Sequence, residues 1–318
     1  MRRGGIRPGI PRDRKPAASY RLHHPGRFIC ALTPLLPGVT LGGRDDATAG
    51  PPEKPEARAT MQHGVVIRGV LCREEPTLQI TQDHLLNRRV AYAQPATGFR
   101  TGVEPVLLAA AVPARPGERV LEAGTGAGAA LLCLAARVPD LHGVGIDCNA
   151  SLIALAVQNA AANGAAGLAF IVADMAAMPD TGRFDHALAN PPYHAADGTA
   201  SPLRSRKLAK QGDAGLLATW AHALAIPLRH RGTLTFILPA ASLPPCFAAM
   251  AAAGCPPDAV LPLWPKPGRP AKLALARGVK GGRSPLRLLP GLVLHEPNGA
   301  FSKTANAVLR DGAALEMT

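Results

Sequence analysis

From residue 119 to residue 238 the chain alternates short apolar runs with longer stretches rich in Ala and Leu. The runs are RVLEA (119–123), HGVGID (142–147), LAFIVAD (168–174), FDHALAN (184–190) and TLTFIL (233–238). Between them, residues 127–138, 150–163 and 216–229 carry apolar positions at helical spacing. Near-continuous apolar strands alternating with helices predict a parallel sheet covered on both faces, a doubly wound α/β domain. Upstream, LQITQDHLLNRRVAY (78–92) predicts a β-hairpin around a polar turn, and GVEPVLLAAA from Gly102 predicts a helix with Pro105 in its first turn. Downstream, a helix is expected over 242–253, with Ser242 as N-cap and Pro244 and Pro245 just inside it. Two further strands are expected at 259–264 and 272–279, separated by the loop PKPGRP (265–270). The last segment holds the apolar run LVLHE and a helix around 304–309.

Residues 1–60 break this pattern. They are rich in Arg, Pro and Gly without periodicity, so they cannot bury enough surface to offset their ordering entropy and are expected to be disordered. Either a basic arm or an upstream-extended start accounts for them. The expected organisation is therefore a tail (1–60), a hairpin segment (61–100), the main α/β domain (101–283) and a C-terminal basic extension (284–318).

The net charge of +13 points to a polyanionic partner, nucleic acid before others. Residues 1–60 hold eleven Lys/Arg against five Asp/Glu, so six of the thirteen surplus charges sit there and the rest of the chain stays basic without them. Arg204, Arg206, Lys207 and Lys210 form one candidate phosphate-contacting group, and Lys266, Arg269, Lys272, Lys280, Arg283 and Arg287 another; Phe99 and Trp264 are candidate stacking platforms. The six cysteines form no C-x-x-C pair and have no partnering His spacing, so neither zinc nor a disulfide framework is expected. No apolar run approaches the roughly 18 residues of a membrane span, and residues 28–36 are too short and Pro-interrupted for a signal segment. A cytoplasmic, metal-free protein is the expectation; the sequence is silent on oligomeric state.

VLEAGTGAG (120–128) follows the first strand of the main domain and opens a helix, the arrangement in which a backbone approaches a nucleotide-like cofactor closely. Gly124, Gly126 and Ala129 also satisfy the loose dinucleotide fingerprint, with Asp147 at about its expected distance, so the loop alone leaves the cofactor open. Glu122 favours a ligand bearing an ammonium group and no phosphate, such as S-adenosyl-L-methionine. Asp147 could accept from ribose hydroxyls and Asp174 from an adenine amine, with helix capping as the plainer alternative for both. Cys148 would line the same pocket.

ALANPPYH (187–194) ends the fourth strand of this series, at the same sheet edge. An Asn side-chain oxygen and the next residue's carbonyl can accept two hydrogen bonds from one planar NH₂, two prolines stiffen the backbone, and Tyr193 can stack on the acceptor. Acceptors that favour a pyramidal nitrogen free its lone pair for in-line attack on a methyl sulfonium, so positioning and electrostatics can carry the transfer without a strong base. His186 reads as structural and His194 as incidental.

With these motifs in order, the chain resembles class I S-adenosyl-L-methionine-dependent methyltransferases of the N-P-P-Y type, with a Rossmann-like, seven-stranded sheet. More narrowly, GFRTGVEPVLLAAAVPARPGERVLEAGTGAGAALLCLAARVP is similar to the bacterial tRNA(Val) adenine-N6 methyltransferases, over roughly residues 78 to 312. The resemblance implies Glu122, Gly124, Gly126 and Gly128 around the methionine part of the donor, with Thr125 beside them. It implies Asp147 on the ribose, Asp174 with Met175 on the adenine, Asn190 and Pro191 on the target amine with Asn190 also touching the donor, and Pro192 and Tyr193 completing the motif. The segment SPLRSRKLAKQGD after it is basic where the family often carries His and Glu. The implied activity is methylation of an adenine N6 amine in tRNA. Other rRNA or DNA base amines, a glutamine amide of a translation factor, and an RNA-binding protein that keeps the fold without turnover are the alternatives.

Overall fold

A computed structural model describes residues 79–98, 100–192 and 205–317, with side chains from residue 214 onward in the last stretch. The tail over 1–60, Phe99, Tyr193, His194, Arg204 and the side chains of Arg206, Lys207 and Lys210 lie outside the described residues.

The hairpin forms from β1 (Ile80–Leu85) and β2 (Val90–Pro95). Helix α1 (Glu104–Ala111) follows, with a proline in its first turn. Then come β3 (Arg119–Ala123), α2 (Ala129–Arg137), β4 (His142–Asp147), α3 (Ala150–Ala162), β5 (Leu168–Val172) and β6 (Phe184–Ala189). Helix α4 (Ser205–Ala225), β7 (Leu228–Pro239), α5 (Leu243–Ala252), β8 (Pro257–Trp264) and β9 (Leu273–Val279) complete the main alternation. Two short strands, β10 (Arg287–Leu288) and β11 (Leu292–Val293), and α6 (Lys303–Asp311) end the described chain.

The large sheet runs β10-β8-β9-β7-β6-β3-β4-β5, with β11 also paired to β8. Seven long strands make its body; β9 is antiparallel to both neighbours, and the remaining pairs are parallel. Helices α1, α2, α3 and α6 pack with the hairpin into one apolar layer, and α4 and α5 into a second on the opposite face. This is the expected doubly wound α/β fold.

Three boundaries differ from expectation. Helix α4 begins at Ser205 rather than 216, because the Arg, Lys, Leu and Ala that follow Ser205 are good helix formers. Strand β7 begins at Leu228, inside the stretch expected to be helical. Ser242 precedes α5 but its hydroxyl makes no capping bond: it ends a 3-10 turn (Ala240–Ser242) and is already in helical conformation, whereas a capping residue needs extended backbone.

The hairpin is anchored by two asparagines four apart, Asn159 in the last turn of α3 and Asn163 just after its end. Asn163 accepts from the Ala91 N–H (2.9 Å) and donates to the Ala91 carbonyl (2.7 Å). Asn159 does the same at Ala93 (2.8 and 2.9 Å), so two side-chain amides substitute for a third strand. The C-terminal segment is likewise integral: the Leu315 N–H donates to the Ala110 carbonyl at 2.8 Å, and Met317 is buried.

Candidate functional site

Strand register brings the predicted residues to one edge. Ala123 pairs with Ile146 on β4 and with Ala189 on β6, so the chain leaves these strands at one level, as Gly124, Asp147 and Asn190. Asp147 pairs with Val172, which places Asp174 just beyond the end of β5. Parallel strands put four carboxyl ends side by side, the location where open α/β sheets hold ligands.

Gly124, Gly126 and Gly128 all have positive φ (65°, 54° and 87°), which explains the residue type at each. Gly128 precedes α2 in left-handed conformation, and a methyl group there would meet Phe170 at 3.1 Å. At Gly126 nothing lies within 4 Å of such a methyl, so this is the open approach to the loop. Its N–H donates to Asp147 Oδ2 at 2.9 Å, while Asp147 Oδ1 accepts from Asn149 N–H at 2.9 Å. Asn149 in turn caps α3 through the N–H groups of Ser151 and Leu152. The loop is also held from below: Asn159, already bonded to the hairpin, donates to the Ala127 carbonyl at 3.0 Å. Sequence reasoning missed Asn159; its burial on a polar amide is the signal that only packing reveals.

Glu122 departs from expectation. It is 3% exposed, and its Oε2 accepts from the Thr125 hydroxyl at 2.7 Å. Burial raises its pKa to about 8, with the Asp147 charge adding to the rise and bonds from the Thr125 hydroxyl and the Leu131 backbone opposing it. At neutral pH this carboxyl is therefore mostly protonated beneath the loop, rather than a charge presented to the crevice. The preference of an ionised Glu122 for an ammonium-bearing ligand without phosphate, expected from the sequence, loses its force. Thr125 is itself buried and its side chain is spent on Glu122.

Asp174 is exposed and caps the 3-10 turn Met175–Ala177 through the Ala176 N–H at 2.9 Å. Met175 is 5% exposed, because that turn points it into the α4 and α5 layer rather than outward. Cys148 is exposed beside Asp147; partial burial and the carboxylates of Asp147 and Asp174 push its thiol pKa up, so it is no activated nucleophile. Asn190 is half-buried and makes no hydrogen bond to the described residues, leaving its amide uncommitted; Pro191 is buried and Pro192 exposed. His186 lies inside β6, in its first half, buried between Thr233 (2.8 Å) and Glu118 (2.9 Å), as a structural bridge.

The late cations split in two. Strand β8 runs parallel to β7, each being antiparallel to β9, so the loop after Trp264 emerges at the same edge as Gly124 and Asn190. Lys266, Arg269 and Lys272 stand there, exposed, with Lys266 tied to the Pro297 carbonyl at 3.2 Å. Lys280 and Arg283 follow β9 at the opposite edge, and Arg287 faces Asp258, so these three do not share the site's edge. Trp264 donates its indole N–H to the Pro290 carbonyl at 3.1 Å. Among the described residues no group of His, Cys, Asp or Glu is placed to hold a metal ion. None of their helices is long and apolar enough to cross a membrane.

The open glycine loop, the carboxylate fixed at its flank and an uncommitted amide at the next strand end fit a ribose-bearing donor. Residues 114–224 match the family model described as a methyltransferase domain. Fold and matched segment together point to a class: the chain has an α/β fold, and its residues 114–224 are similar to a methyltransferase domain. Among particular relatives, a release factor glutamine methyltransferase of Cereibacter sphaeroides is 35% identical over 153 residues, covering 47% of this chain and 52% of the relative. A tRNA1(Val) (adenine(37)-N6)-methyltransferase of Bacteroides thetaiotaomicron is 28% identical over 143 residues, covering 44% and 60%. The chain thus spans about half the length of the curated relatives it matches. A crystal structure described as a predicted O-methyltransferase from Agrobacterium tumefaciens superposes with a TM-score of 0.55 at 23% identity, over 67% of this chain and 98% of that one, a likeness of fold.

Proposed function

We propose that the protein is an N-methyltransferase that transfers a methyl group to the exocyclic N6 amine of an adenine in tRNA. The observation that carries this reading is the register of β3, β4 and β6, which sets the glycine loop, Asp147 and the Asn190–Pro191 pair along one edge. S-adenosyl-L-methionine, when bound, supplies an electrophilic methyl on a sulfonium. The protein's part is to hold and orient. Asp147 has lone pairs left beyond its two backbone bonds, enough to accept from ribose hydroxyls. Asp174 keeps an oxygen beyond the one that caps its turn, available to an adenine amine. Gly126 leaves room for close approach. The Asn190 side-chain oxygen and the Pro191 carbonyl accept the two N–H bonds of the target amine.

Lys266, Arg269 and Lys272 on the same edge favour a polyanionic substrate, since cations there would neutralise phosphates around the reacting base. A second reading, methylation of a glutamine amide in a release factor, draws on the 35% identity to the enzyme of that name. The same acceptor pair serves either planar NH₂ group, so chemistry at Asn190 does not separate them. Purified protein given labelled S-adenosyl-L-methionine, total bacterial tRNA and, separately, a release factor should label the tRNA as N6-methyladenine. Label confined to the release factor replaces the first reading with the second. Label in neither overturns both.

A further inference from the structure

Trp220 belongs to none of the motifs above, yet it stands against the glycine loop. A methyl group on Gly124 would lie 2.5 Å from Trp220 Cη2 and 3.1 Å from Cζ3, so the missing side chain of Gly124 is the space that the indole edge fills. Helix α4, which carries Trp220, packs against β3 and the 3-10 turn after β5. The indole is only partly buried, packed at the margin of the apolar layer of α4 and α5 where that layer meets Gly124. Its position along the edge is informative: Gly124 leaves β3 beside Asn190 on β6, while Asp147 lies on the other side of β3, on β4. Trp220 therefore contacts the loop's first glycine, between the ribose side of the site and the amine-binding pair. A sulfonium is a cation with no N–H or O–H to donate, so a protein can recognise its charge through carboxylates, carbonyls or the negative face of an aromatic ring. The one carboxyl beneath this loop, Glu122, is mostly protonated and bonded to Thr125.

We propose that Trp220 is a donor-binding residue, the aromatic wall that recognises the sulfonium of S-adenosyl-L-methionine and so separates the donor from its neutral thioether product, S-adenosylhomocysteine. The proposal rests on the donor assignment above. The chain contains two tryptophans, so a Trp264→Phe variant leaves Trp220 as the sole indole reporter. Its emission should change on titration with S-adenosyl-L-methionine and saturate at the dissociation constant that calorimetry gives. Trp220→Phe and Trp220→Leu should weaken binding of the sulfonium donor in that order, the latter by about fivefold or more, and leave the thioether's affinity nearly unchanged. A purely structural tryptophan would lower both affinities equally, and that result overturns the proposal. So does calorimetric binding without any change in Trp220 emission, a measurement that needs no substitution at Trp220. Absence of calorimetric binding by the unaltered protein would instead sink the donor assignment, and this proposal with it.

Discussion

Asp147 holds the amide of Gly126 at 2.9 Å, so the carboxylate expected to meet a ribose also fixes the loop expected to meet the rest of the donor. Its other oxygen holds Asn149, the cap of α3, and a single side chain thus sets the spacing of β3, β4 and the helix after them. Asp147→Ala should cost stability of about 1–2 kcal/mol for the bonds lost and donor affinity by about tenfold or more. Urea unfolding and calorimetry check the two effects. A variant with intact affinity would remove Asp147 from the donor site.

Asn159 satisfies both backbone groups of Ala93 and the carbonyl of Ala127 from a position 3% exposed to solvent. Asn159→Leu keeps the bulk and leaves these partners unpaired, at a cost of about 3 kcal/mol or more. Donor affinity should fall with it, because the loop and the hairpin lose their shared tie. An unchanged denaturant midpoint would contradict this.

Glu122 links stability and pH. Its folded pKa of about 8 stands above the ordinary 4.5, so its contribution is whole below pH 4.5 and is lost as pH rises through about 8. Glu122→Gln keeps an acceptor for the Thr125 hydroxyl and cannot titrate. The unaltered protein should therefore lose stability relative to this variant as pH increases across that window, and parallel urea curves would refute the assignment.

The glycines of the loop should separate by role. Gly126→Ala meets only left-handed backbone strain, about 1 kcal/mol, since no atom lies within 4 Å of the added methyl. Gly124→Ala adds a collision with Trp220 and should be the less stable variant. Binding should fail in both. Equal denaturant midpoints would show that the indole gives way freely.

How much of this the sequence disclosed follows from the range of each interaction. The strands are short apolar runs whose order and covering helices set the topology, so the glycine loop, Asp147, Asp174 and Asn190 could be assigned to strand ends from local pattern alone. Partners distant in sequence could not. Trp220 meets Gly124 across nearly a hundred residues, and Asn159 reaches back to Ala93. Burial also changes meaning: Glu122 reads as an exposed charge in the string VLEAG but lies under the loop, and Met175 turns inward because a 3-10 turn, invisible in composition, follows Asp174. The charge pattern named the cations without dividing them, since only the antiparallel β9 sends Lys266 and Lys280 to opposite edges.

The proposed role of Asn190 and Pro191 in holding the target amine is tested most directly by Asn190→Ala. Labelled S-adenosyl-L-methionine should transfer methyl to tRNA with the unaltered protein and at least about a hundredfold more slowly with the variant. Donor affinity by calorimetry should stay within a few-fold, because Asn190 acts on the acceptor. Transfer at an unchanged rate, or a loss matched by an equal loss of donor binding, would contradict the account.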